Sequence, residues 1–275
     1  MVDSTLYSIF KEGSKTYFYS SLFFPMDVRG DVFTLYAFVR KADNYVDTVP
    51  QQKEGFYRFW KNYQNTLASN ISDDVVISSF VEMMKRKRFD EKWVTAFFKS
   101  MEMDLNKSTY LTIEETIKYM HGSAEVIGMM MARIMELPEQ SYECSRYLGR
   151  AMQYINFIRD INEDLSLGRQ YLPKHDLNEC GLESLERNHT YSREKQFSEF
   201  IQKQVAYYES WQRIAEQGFA YIPKRYFIPI KTASDMYKWT ALQIKKDPKI
   251  VYEKKVKPSA LYIVSRFLYS TMRYH

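Results

Sequence analysis

The chain is predicted to be all-α. Glycine and proline are scarce, at 9 and 8, while Met, Tyr and Phe number 14, 23 and 18, a balance that suits long helices and leaves little material for turns. Strand signals are missing, because no alternating apolar and polar run bounded by Asn-Gly or Asp-Gly occurs. Along the longest segments, polar and apolar residues recur instead at steps of three and four, the helical period.

Taken in order, helices are predicted near 15–24, 28–48, 53–69, 73–86, 90–105, 113–135, 139–166, 192–217, 228–246 and 258–272. Pro25 and Gly30 punctuate the start of the first long one, and Asp73 and Asp90 are N-cap candidates for the fourth and fifth. Leu137-Pro138 separates the sixth from the seventh. Gly168-Arg169-Gln170-Tyr171-Leu172-Pro173 ends the seventh, since glycine suits a helix C-terminus and proline cannot continue one. The polar stretch 174–191 reads as a surface loop. Nothing resembles a linker, so residues 1–275 are taken as a single domain with enough chain to bury a sizeable core.

The net charge of +5 is spread over many helices, with local concentrations at 85–88 and 254–257. No zinc-finger spacing or RNA-binding aromatic motif accompanies them, so nucleic acid is not an expected partner. Cys144 and Cys180 form no metal or redox spacing, which fits a reducing compartment. The N-terminus lacks a basic flank followed by an apolar core, and the most apolar stretch, 126–135, is interrupted by Arg133 and too short for a bilayer. A cytoplasmic protein, soluble or peripheral to a membrane, is expected.

Two aspartate pairs of equal spacing carry the chemistry: Asp43 and Asp47 with Arg40 upstream, then Asp160 and Asp164 with Arg159 upstream. Carboxylates four apart share one side of a helix and disfavour it by about 0.2–0.5 kcal/mol unless a cation sits between them. Mg²⁺ is the natural candidate, a hard ion that binds through one or two carboxylates plus substrate phosphate oxygens, and arginine forks suit the oxygens that remain. A solvated helix face is the ordinary alternative for one such pair; two matched pairs point to one cavity lined from both sides. On 28–48, Tyr36, Arg40, Asp43 and Asp47 follow intervals of four, three and four, and on 139–166, Gln153, Asn156, Asp160 and Asp164 follow three, four and four. Each polar stripe continues the apolar face of its helix, where burial demands partners or ions. Phe18, Phe33, Val126, Met129, Met130 and Phe157 are candidates for the apolar wall, or for ordinary core.

At these residues the chain resembles a known family. The stretch Leu35-Tyr36-Ala37-Phe38-Val39-Arg40-Lys41-Ala42-Asp43-Asn44-Tyr45-Val46-Asp47 is similar to the first aspartate motif of squalene and phytoene synthases, enzymes that couple isoprenoids head to head. Gln153-Tyr154-Ile155-Asn156-Phe157-Ile158-Arg159-Asp160-Ile161-Asn162-Glu163-Asp164, with 168–173 after it, resembles the second signature nearly position by position. Ser14-Lys15-Thr16-Tyr17 looks like the N-terminal flap, and 122–128 like the helix crossing the pocket; a weaker likeness continues through Tyr237 and Lys254.

The resemblance implies a helical isoprenoid-synthase bundle with a central apolar cavity and two prenyl diphosphate substrates. By it, Asp43, Asp47, Asn156, Asp160 and Asp164 are ligands of Mg²⁺, or of Mn²⁺ in its place. Tyr36, Arg40, Arg159 and Tyr171 join the aspartates as catalytic residues. Ser14, Thr16, Tyr17, Ser21, Gln153, Arg169, Tyr237 and Lys254 are substrate contacts. The sequence departs from the pattern where Asn44 follows Asp43, where His121 replaces a frequent tyrosine, where Glu125 replaces a frequent glycine, and where Lys254 replaces an arginine. His121 and Glu125, four apart, are expected to form a helix pair. Glu186-Arg187-Asn188-His189 looks like half of a di-iron motif without its second half. Ser20 and Ser21 stand where C30 enzymes of the family tend to carry a bulky aromatic, so a C40 product, phytoene from two geranylgeranyl diphosphates, is expected without a nicotinamide cofactor. A C30 synthase using farnesyl diphosphate, a terpene cyclase or head-to-tail prenyltransferase, and a non-catalytic assembly protein derived from the family are the alternatives.

Overall fold

The computed structural model describes residues 3–13, 18, 21–259 and 262. Its helices are α1 (Ser4–Gly13), α2 (Met26–Asp47), α3 (Lys53–Ser69), α4 (Val75–Lys87), α5 (Glu91–Asn106), α6 (Ile113–Met120), α7 (Val126–Ile134), α8 (Tyr142–Arg159), α9 (Ile161–Ser166), α10 (Lys174–Glu179), α11 (Arg187–Ser192), α12 (Glu194–Gln217), α13 (Lys224–Lys246) and α14 (Ile250–Glu253). One wide π-helical turn, His121–Glu125, joins α6 to α7 so that the three run on as one crossing helix. Among the described residues there is no strand, only an isolated parallel bridge between Thr109 and Gln170.

The predicted helices from 28 to 246 are present, and the differences have local causes. α1 went unread because it buries only Leu6 and Phe10, too few residues to declare a period. Most of 15–24 and 258–272 lies outside the described residues. The N-cap of α4 is Asp74, not Asp73: its Oδ1 accepts from Val76 N at 3.0 Å and Ile77 N at 3.4 Å. Asp90 caps α5 as read, accepting from Lys92 N at 2.8 Å. The 174–191 segment is not a simple surface loop. It holds α10 and part of α11, and it buries Leu177, Leu182 and Leu185, whose spacing of five and three matches neither a helix face nor a strand.

Two hydrophobic cores form. One gathers α1 to α5 with α7, where Phe38 of α2 stacks on Phe80 of α4 at 3.7 Å between ring centres and Trp60 of α3 on Phe98 of α5 at 5.1 Å. The other gathers α6, α8, α12, α13 and α14, with Tyr154 of α8 edge-on to Trp211 of α12 at 5.1 Å. The basic stretch at 85–88 is structural. Arg86 pairs with Asp31 at 2.5 Å, Lys87 with Glu136 at 2.8 Å, and Lys85 donates to the Leu67 carbonyl at 3.1 Å. Cys144 and Cys180 are free thiols, and no described helix is long and apolar enough to cross a membrane.

The crossing helix sits between α5 and α8 at backbone contact distance. A Cβ on Gly122 would lie 2.0 Å from the Ala96 carbonyl oxygen of α5, and one on Gly149 of α8 would lie 2.3 Å from the Ala124 oxygen. Both positions exclude any side chain. Gly122→Ala is therefore expected to cost about 3 kcal/mol of stability, the upper end of ordinary overpacking, because backbone and not a mobile side chain must yield. Chemical denaturation measures this, and parental stability in the variant would show that the crossing is not tight.

Candidate active site

α2 supplies the first wall. Its polar stripe begins at Tyr36, whose ring stacks on Phe10 of α1 at 3.9 Å, and continues through half-buried Arg40 and Asp43 to Asp47 at the exposed C-terminal end. The second wall is not the unbroken stripe predicted from spacing. α8 stops at Arg159, and Asp160 adopts a non-helical conformation (φ −100°, ψ 17°) before α9 resumes and carries Asp164. On a straight helix consecutive residues diverge by about 100°. At this break they come together instead, and Arg159 Nε and Nη2 donate to the two Asp160 oxygens at 2.8 and 2.5 Å.

A strap after α9 joins the walls. Gly168 at φ +71° turns the chain, a conformation that favours glycine, and the Asp164 carbonyl accepts from Arg169 N at 2.8 Å. The Arg169 side chain then reaches across to the first wall: Nη1 donates to Asp47 Oδ1 at 2.8 Å and Nη2 to the Val46 carbonyl at 2.5 Å, near the negative end of the α2 dipole. Tyr171, next on the strap, donates to Asp104 Oδ1 at 2.8 Å, and Tyr119 of α6 donates to Oδ2 at 2.6 Å. Phe157 stacks on Tyr171 at 4.3 Å.

The charges on the two walls feel one another. Asp43 is pushed up to about 8, first by burial, then by Asp47, with Asp104 adding and Arg40 and Arg169 opposing. Asp164 is raised well above the usual carboxylate range by burial and then by Asp160, with Asp104 and Asp47 contributing from the far side. Asp104 rises to about 6 through burial, against the pull of Arg169 and the two phenols. Arg169 and Arg159 are each bonded to one aspartate, Asp47 and Asp160, which leaves Asp43, Asp104 and Asp164 without an ion-pair partner among the described residues. Asn156 Oδ1, on α8 one turn before Asp160 and buried, has no hydrogen-bond partner among the described residues. An oxygen-rich, under-neutralised site with an orphaned carbonyl oxygen fits a hard divalent cation such as Mg²⁺.

Other expected site residues are placed as follows. Gln153 is half-buried on α8, and Tyr237 of α13 is buried in the second core. Ser21 is buried, its hydroxyl donating to the Phe18 carbonyl at 2.6 Å. Ser14, Thr16, Tyr17 and Ser20 lie outside the described residues. Lys254 is exposed just past α14, and it is the next residue, Lys255, that approaches the second wall, 3.5 Å from Asp160 Oδ1 and paired with Glu163. Chain geometry explains the shift, since beyond the helix end the side chains alternate in direction. Lys257 belongs to the same corner: partial burial, Lys255 and Arg159 all push its ammonium down. Of the expected cavity wall, Phe33, Val126 and Met130 have 0–1% of their surface accessible and are packed core.

The squalene/phytoene synthase family model matches residues 10–262. This chain belongs to that family. Members are prenyltransferases that condense prenyl diphosphates head to head. A 15-cis-phytoene synthase of Paracoccus sp. is 26% identical over 265 residues, covering 90% of this chain and 84% of its own length. A 4,4'-diapophytoene synthase of Staphylococcus haemolyticus is also 26% identical, over 179 residues covering 63% and 62%. Among solved structures, a dehydrosqualene synthase superposes with a TM-score of 0.82 at 19% identity over 98% of this chain and 95% of its own. A squalene synthase from Alicyclobacillus acidocaldarius does so at 0.79 and 19%, over 90% and 93%. These superpositions establish the all-α isoprenoid-synthase fold.

Within this squalene/phytoene synthase framework, Asp104 is the residue that sequence reading missed. Its signal was there: seven residues after Phe97 and three after Met101, it stands on the buried stripe of α5, where an aspartate needs a reason. Asp43 and Asp104 titrate higher in the folded chain than the ordinary 3.8. The stability that their neutral forms contribute in acid is lost as pH rises through about 6 and then about 8. Chelator-treated protein is expected to melt at steadily lower temperature from about pH 5 to about pH 8.5, with Mg²⁺ plus pyrophosphate flattening the decline. A melting temperature that climbs over that range would contradict the charge imbalance.

Proposed function

We propose that this chain joins two geranylgeranyl diphosphates head to head, giving phytoene through a cyclopropyl diphosphate. The observation that carries the reading is the convergence of Asp43, Asp47, Asp160 and Asp164 with the orphaned Asn156 oxygen, beside Arg40, Arg159, Arg169 and Lys255. Asp43, Asp47, Asn156, Asp160 and Asp164 would hold Mg²⁺, or Mn²⁺, which when bound supplies positive charge to the departing diphosphate.

The chain's own residues do the rest. Arg40 has no ion-pair partner among the described residues and is available to phosphate oxygens; Arg159, Lys255 and Lys257 make a second cationic corner. In the first half-reaction the C–O bond of one substrate breaks, pyrophosphate takes the electron pair, and the double bond of the second substrate attacks the allylic cation. Loss of a proton closes the cyclopropane. In the second half, the remaining pyrophosphate leaves, the ring rearranges, and another proton is lost to form the hydrocarbon. Aromatic rings at Tyr36 and Phe157 would stabilise nearby positive charge, and the apolar cores on either side exclude the water that would quench it. No reductant enters this scheme, and release of an oily product suits a membrane surface.

A C30 reading stands second, because the Staphylococcus haemolyticus diapophytoene synthase is as similar in identity as the Paracoccus enzyme. Purified protein offered C15 and C20 prenyl diphosphates with Mg²⁺ decides between them. The expected product is C40 hydrocarbon from the C20 substrate, unchanged by NADPH and absent in chelator, whereas C30 hydrocarbon alone rejects the C40 assignment. Asp43→Asn and Asp160→Asn are each expected to lower kcat by about 100- to 1000-fold, the range for removing one preorganised charge partner. Ser21→Phe is expected to shift product toward C30 by filling the space beside this buried position, and a product ratio that does not move argues against that position as the length determinant.

A further inference from the structure

Glu125 is the most deeply buried acidic residue outside the two walls, 1% exposed on the π-helical turn of the crossing helix. It accepts from Arg150 Nε at 2.6 Å and Nη2 at 2.5 Å, lies 3.3 Å from Arg146 Nε, and is 3.0 Å from His121 Nδ1. Burial alone would raise its carboxyl, but His121 and the two arginines outweigh that and hold it below the usual range. Arg150 is itself buried, packed over Tyr147 at 4.8 Å and Trp211 at 5.3 Å. The cluster touches neither aspartate wall.

Its placement gives it a task. The crossing helix meets α8 backbone to backbone, through Gly149 on the Ala124 carbonyl and Gly128 on the Ser145 carbonyl, where a Cβ would come within 2.3 and 2.2 Å. The glycines fix how closely the two backbones approach, and the bonds from Glu125 add a polar constraint on how far α8 slides along its neighbour. Arg146 and Arg150 are one turn apart on α8, and Glu125 grips both. A slide of one turn, about 5.4 Å, would release one arm. The same α8 carries Gln153 and Asn156 and ends at Asp160, while the same crossing helix carries Tyr119, which holds Asp104 beside the first wall.

We infer that Glu125, with Arg146 and Arg150, is a register clamp: a set of positioning residues that fixes α8 against the crossing helix and so sets the distance between the two diphosphate-binding walls. The inference rests on the metal and diphosphate reading of those walls.

The test uses the double variant Glu125→Met/Arg150→Met, which removes the buried pair as a pair. Replacement of a buried ion pair by apolar groups of similar volume often leaves stability unchanged, whereas removing one partner strands a buried charge. Thermal melting and calorimetry of pyrophosphate binding in Mg²⁺ are measured together. The expected result is a melting temperature near that of the parent with affinity weaker by roughly tenfold, and KM for the prenyl diphosphate rising more than kcat falls. Arg146→Gln, at a position 38% exposed, removes one arm without burying an unpaired group and serves if the double variant does not fold; a loss of roughly threefold is expected. Parental affinity in either folded variant overturns the clamp. Absence of Mg²⁺-dependent binding by the parent is a separate result, which would overturn the reading of the walls and leave the clamp without a role.

Discussion

Repulsion among clustered carboxylates is the constraint around which this protein is organised. Asp43, Asp47, Asp104, Asp160 and Asp164 come from three helices and the break between α8 and α9, and each raises or is raised by others in the set. Two like charges about 4 Å apart cost on the order of 4 kcal/mol at an effective dielectric near 20, more than most single contacts return. Arg169 is the cation that lets the walls approach, bonded to Asp47 and to the end of α2 while its own backbone is tied to Asp164. It leaves Asp43, Asp104 and Asp164 without an ion-pair partner among the described residues, and the proposed binding of cations and diphosphate rests on them.

The surrounding structure supports this unfavourable arrangement. Two aromatic-rich cores flank the polar seam, and the connections across it are few and specific. Gly168 turns the strap, the Gln170 amide donates to the Ser108 carbonyl at 2.7 Å, and Thr116 Oγ1 donates to the Tyr171 carbonyl at 2.7 Å. These bonds place Tyr171 under Asp104, where its phenol supplies one of only two side-chain donors to that carboxylate among the described residues. Strap geometry, local and encoded by one glycine, thus becomes the electrostatics of a carboxylate 67 residues away along the chain. Membership of the squalene/phytoene synthase family follows from the motifs; how this chain stabilises them follows from its own contacts.

Much of the fold was legible in the amino-acid pattern. Long helices with strong apolar periodicity, such as α3, α5 and α12, were read within a few residues, because burial of one face imposes a repeat that any such helix must show. Short elements escaped. α1 buries two side chains, and α10 and α11 are six residues each, burying only Asp176 and Leu177 in the one and Thr190 in the other, too few to show a local period. In the candidate site, the aspartate pairs, Asn156 and the His121–Glu125 pair were visible from spacing. Asp104, Lys255 and the two arginines on Glu125 were not, because their partners lie on helices that spacing does not relate.

The sequence by itself determined the all-α class, the family, and which side chains share a helix face, since a period of 3.6 residues is a property of the local backbone. Only the tertiary structure decided that α8 breaks at Asp160, that Arg169 spans the two walls, that Lys255 is the lysine turned to the second wall, and that Glu125 is clamped by α8. Charge interactions depend on distance through space, and distance between helices is set by glycine contacts and core packing that no single segment contains.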